Sequence, residues 1–106
     1  MPKFLIDASY TSEGVKGVQS SGGSARVDAV RKAVEGLGGK LECFYFAFGD
    51  RDVYTVIDVP DNESAIALAI AVGSTGLVDI RTTPLVTAEQ VDTAAEKSVS
   101  YTPPGG

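Results

Sequence analysis

The chain contains no histidine, no tryptophan, one cysteine and one methionine among its 106 residues. Without histidine, Ser-His-Asp and Cys-His catalysis, the common zinc sites and a proximal haem ligand are excluded. The lone Cys43 cannot close a disulfide within the chain, and it sits in an apolar run where cysteine behaves as a small buried hydrophobe. Positive charge is also scarce: nine Lys and Arg stand against 14 Asp and Glu, for a net charge of -5 at pH 7. Such a surface gives no footprint for nucleic acid or an anionic membrane, so neither is an expected partner. No apolar run is long enough to span a bilayer, and Phe4-Leu5-Ile6-Asp7 follows the start without a signal peptide's charged and apolar regions. A cytoplasmic location is the expectation.

What is present is ordinary globular composition, 43% hydrophobic and 22% charged, enough for one domain with its own core. That domain is expected over residues 1–100, with 101–106 (Tyr-Thr-Pro-Pro-Gly-Gly) as a tail. Lys3 to Ser9 alternates as a strand. Thr11 to Gln19 reads as a short helix weakened by Gly14 and Gly17, and Ser20-Ser21-Gly22-Gly23 as a turn. Ser24 then caps a helix to about Gly36, with Val27, Val30, Val34 and Leu37 as its buried stripe. Two strands follow within Leu41 to Val59, a stretch that holds most of the eight aromatic residues. Asp61 caps a helix striped by Ala65, Leu68, Ala69 and Val72 and ending at Gly73 or Gly76. Leu77 to Thr83 alternates as a fourth strand stopped by Pro84, and Thr87 to Gln90 forms a capping box for a last helix through about Ser98. The order β-α-β-β-α-β with an added helix predicts an α+β, ferredoxin-like fold: a four-stranded antiparallel sheet, strands one and three central, helices on one face.

Period-two bookkeeping divides the strands into two faces. The helix-covered face takes Phe4, Ile6, Ala8, Leu41, Cys43, Tyr45, Ala47, Val53, Thr55, Ile57, Val59, Val78, Ile80 and Thr82. The other takes Leu5, Asp7, Ser9, Glu42, Phe44, Phe46, Phe48, Tyr54, Val56, Asp58, Leu77, Asp79, Arg81 and Thr83. Leaving that many rings in water exposes more apolar surface than monomers usually carry. A second copy packed sheet to sheet is the simplest cover and predicts a homo-oligomer. A dimer comes first, and trimers and hexamers stay open.

The hairpin turn Gly49-Asp50-Arg51-Asp52 resembles the signature of the small bacterial GYD-domain proteins, which reads glycine, any residue, tyrosine, aspartate. Gly49 and Asp52 match, and Arg51 replaces the tyrosine. The likeness extends through the Met1-Pro2-Lys3-Phe4-Leu5 opening, Tyr10-Thr11-Ser12-Glu13-Gly14, the Arg26-bearing helix, Leu37-Gly38-Gly39-Lys40-Leu41, Asp58-Val59-Pro60-Asp61, and Gly76 before Arg81-Thr82-Thr83. The resemblance implies a dimeric α+β barrel and carries no established activity. Gly49 and Asp52 are expected to serve the turn, glycine through positive φ and aspartate by bonding backbone.

Two functional readings stand side by side. The first is a self-associating domain that binds a small apolar or partly polar ligand on the aromatic face, through Asp7, Tyr10, Phe44, Phe46, Phe48, Tyr54, Asp58 and Arg81. The second is a cofactor-independent enzyme, oxygenase- or isomerase-like, whose proton-transfer group would be Asp7 or Asp58 with a raised pKa, or Tyr54. The second rests on analogy of fold. No cofactor is expected, and no metal, since the spacing of Asp50 and Asp52 matches no calcium loop. Tyr10 and Arg26 flank the two Gly/Ser-rich segments and are placed to close over one end of the sheet cleft.

Overall fold

Strand and helix follow from the patterning almost element by element in the computed structural model, which describes residues 1–106. In chain order these are β1 (Lys3–Tyr10), α1 (Ser12–Ser21), α2 (Gly23–Gly36), β2 (Lys40–Phe46), β3 (Val53–Asp58), α3 (Asn62–Gly73), β4 (Val78–Leu85) and α4 (Ala88–Ala95). The four strands pair antiparallel in the order β2-β3-β1-β4, so strands one and three are central as expected. This is the ferredoxin-like α+β arrangement. The core lies between the sheet and the helices and consists of Phe4, Ile6, Val34, Ile57, Val59, Ala65 and Leu68.

The first helical segment is cut at one residue rather than at a four-residue turn. Gly22 adopts φ 88°, a conformation that favours glycine, and it separates α1 from α2 directly. Ser24 therefore lies inside α2 and does not cap it. Three other caps form, those of Asp61 and Thr87 as the sequence predicts and that of Thr11 in addition. Thr11 accepts from the Gly14 N–H, Asp61 from the Ser64 N–H at 2.8 Å, and Thr87 with Gln90 makes a reciprocal capping box. Gly14 has a separate role. A Cβ there would lie 2.2 Å from the Leu77 carbonyl oxygen, so glycine is what lets α1 dock against the start of β4.

Two corrections concern strands. β4 continues through Pro84 to Leu85, because β4 lies at the sheet edge, where proline is tolerated. The larger correction is in β2, where the register shifts between Leu41 and Cys43. Leu41 lies opposite Ile57, but Cys43 then lies opposite Val56, Phe44 opposite Thr55, Tyr45 opposite Tyr54 and Phe46 opposite Val53. Directly paired residues share a face, so this one-residue bulge turns the rest of β2 over. Phe44 and Phe46 point to the helix side, 5.4 Å apart in an edge-to-face pair, with Phe46 beside Gly23. Cys43 and Tyr45 emerge on the open side.

The C-terminal arm stands off the body. α4 buries none of its residues, and the radius of gyration is 17.0 Å, against about 13 Å for a compact chain of this length.

Candidate functional site

The hairpin turn and the middle of β1 build one polar centre on the open face. Asp52 extends β3: its N–H donates to the Ala8 carbonyl at 2.8 Å, and its carboxylate accepts from the Tyr10 N–H at 2.8 Å. The signature aspartate thus bonds backbone, as expected, but that backbone belongs to a strand 42 residues away, and Gly49 does not adopt the positive φ expected of it. Holding Asp52 there throws Arg51 across β1. Its Nη2 donates to the carbonyls of Asp7 (3.2 Å) and Asp79 (2.9 Å), and its Nη1 to the Asp79 carboxylate at 3.3 Å. Arg51 Nε lies 2.6 Å from Asp7 Oδ1, an ion-pair contact without hydrogen-bond alignment. Arg81, directly opposite Asp7 on β4, donates from Nε to the same oxygen at 2.8 Å.

Asp7 is buried at 7% exposure between these two guanidinium groups. Its carboxyl is held below the ordinary 3.8, chiefly by the Arg81 hydrogen bond and further by Arg51, against an opposing effect of desolvation. Arg81 is correspondingly raised by Asp7. An aspartate so placed stays ionised and does not offer the raised pKa that a proton-transfer role at Asp7 needs. At the other end of the face, Lys3 bonds Glu42 and, at 3.2 Å, Asp58, which raise its pKa.

The eight residues singled out from the sequence are not brought together. Asp7, Tyr54, Asp58 and Arg81 share the open face. Phe44 and Phe46 lie on the helix side, and Phe48 is fully exposed on the turn. Tyr10 also faces the helices, where it lines a cleft of about 350 Å³ between the α1–α2 pair and α3. Arg26 enters the same cleft with its Nε buried and unpartnered. The turn's Arg51 was the residue missed. Its signal was slight: the one position where the turn departs from the family signature. No three His, Cys, Asp or Glu side chains cluster to hold a metal ion, and no helix is long and apolar enough to cross a membrane.

The GYD-domain family model matches residues 4–95, from the second residue of β1 to the end of α4. No curated protein and no solved structure matches the chain. With a family match over most of its length and the signature glycine and aspartate in the β2–β3 turn, the chain belongs to the GYD domain family.

Proposed function

We propose that this GYD domain works as a homodimer in which the open sheet faces of two copies pack together, the dimeric α+β barrel arrangement. The observation that carries the reading is the composition of that face. Tyr45 and Tyr54 lie opposite each other, 69% and 40% exposed, with Leu5, Cys43 and Val56 half-buried beside them. The ion pairs of Lys3 and of Arg51 bound this apolar centre at its two ends, the layout of an interface with a hydrophobic middle and polar rim. The core-forming helices α2 and α3 pack on the other face, and α4 stands off it, so the chain does not cover this patch itself. The projecting arm supports the same reading: Val91, Val99 and Tyr101 are exposed on it and are available to a neighbouring copy.

Light scattering at micromolar concentration tests the reading. The expected mass is twice the 11.0 kDa of one chain, and a stable single-chain mass contradicts it.

A further inference from the structure

The cleft on the helix side of the sheet is a second feature, separate from the face that pairs. It is a surface cleft of about 350 Å³ between α1, α2 and α3, with Gly17, Ala29, Ala33 and Ala71 exposed along its walls. Side-chain size keeps it open: Gly17, Ala29, Ala33 and Ala71 form much of its wall, where larger residues would fill the space. Its volume falls at the lower end of the range of small-molecule sites. A narrower apolar recess of about 40 Å³, lined by Ile6, Ala8, Phe44 and Ile80, adjoins it and shares Tyr10 and Arg26 with it.

Arg26 is the informative residue. Its Nε is buried and has no hydrogen-bond partner, and no carboxylate lies within ion-pair distance of the guanidinium. Neither the cleft nor the recess is lined by any acidic residue, although acids outnumber bases 14 to nine in the chain. Arg26 is partly buried, and its Nε is out of contact with water and without a partner, a state that an arriving carboxylate would relieve. Tyr10 adds a phenol to the same wall, and the remaining lining is mostly apolar. A planar guanidinium matches a carboxylate, and the small apolar walls match a hydrocarbon or aryl body.

We propose that this cleft binds a small apolar monocarboxylate, its carboxylate paired with Arg26 and its body lodged among the small side chains between α2 and α3. The site lies on the opposite side of the sheet from the pairing face, so its failure leaves the dimer reading untouched. The test is titration of the isotopically labelled full chain with benzoate, phenylacetate and octanoate, each beside its neutral primary amide, followed by amide chemical shifts. At least one acid is expected to saturate, to move the amides of Tyr10, Arg26, Val30 and Leu77, and to bind about tenfold or more tightly than its amide. Arg26→Met keeps the aliphatic stem and removes the charge. It should erase the preference for acid over amide while the thermal midpoint of the unliganded protein stays the same or rises. An arginine that served only the fold would lower that midpoint when replaced. Absence of saturable shifts with all three acids overturns the proposal, as does equal binding of acid and amide, shifts confined to the open face, or a destabilised Arg26→Met protein.

Discussion

Two guanidinium groups are drawn into this small domain from opposite sides of one sheet, and their surroundings differ in kind. Arg51 on the open face has two carbonyls and two carboxylates within reach, all supplied by β1 and β4. Arg26 on the helix side has a buried Nε with no partner and a cleft walled by small apolar residues. A buried charge with its partners in the chain belongs to the structure, and removing it leaves those partners stranded. A partly buried guanidinium whose Nε has no partner in the chain is left for something that arrives later. The same side chain thus serves as a strap in one region and as a receptor in the other.

The sharpest way to break this comparison is to remove each arginine. Arg51→Ala leaves buried Asp7 with Arg81 alone and takes the guanidinium donor from the Asp7 and Asp79 carbonyls, and should lower the thermal midpoint by about 10 °C or more, whereas Arg26→Met should not lower it at all. Equal losses in the two variants would mean that both arginines are structural.

Steric economy around the cleft gives the next effect. Gly14→Val places a side chain against the Leu77 carbonyl, displaces α1 and should cost about 1–3 kcal/mol by urea unfolding. An unchanged midpoint would show that α1 does not need that close approach.

Acid sharpens the Arg51 side alone. Asp7 has a folded pKa below its ordinary 3.8, so its stabilising contribution is fully present above that value and is lost as pH falls through the lowered one. The urea midpoint should hold from neutral pH to about pH 5 and then decline. Asp7→Asn should flatten that decline, leaving the part due to Asp61, which is lowered by its bonds from Ser64. A decline identical in Asp7→Asn would remove Asp7 from the account.

The smallest effect is expected in the cleft. Ala71→Leu fills part of its volume and should raise stability by about 1 kcal/mol while abolishing the acid-specific shifts. A destabilised protein would show that the space is not available to an added side chain.

Much of the architecture was legible because the pattern was one-sided where it mattered. Val53, Thr55 and Ile57 alternate with Tyr54, Val56 and Asp58, and the structure buries the first set as the alternation requires. The Asp61 and Thr87 caps were equally readable, since each acts within three residues of itself. β2 was not readable in the same way. Leu41, Cys43, Phe44, Tyr45 and Phe46 are apolar on both faces, so nothing in the alternation marks where an extra residue is inserted. The bulge after Leu41 removed Phe44 and Phe46 from the expected aromatic face and put Cys43 and Tyr45 there instead. Arg51 escaped for a related reason. A turn arginine reads as solvated until its partners, 44 and 28 residues away in sequence, are brought beneath it. The cleft is a property of helix spacing, which small residues permit without announcing.

The central claim is that the open face, as re-sorted by the β2 bulge, joins two copies. Sedimentation velocity on Tyr45→Asp and Phe46→Asp beside the unaltered chain tests it most directly. Tyr45 lies on the open face, and Phe46 lies on the helix side against Gly23. The account predicts a dimer for the unaltered chain, a folded monomer for Tyr45→Asp, and a dimer of reduced stability for Phe46→Asp. A monomeric unaltered chain, or dissociation by Phe46→Asp with Tyr45→Asp still dimeric, would contradict it.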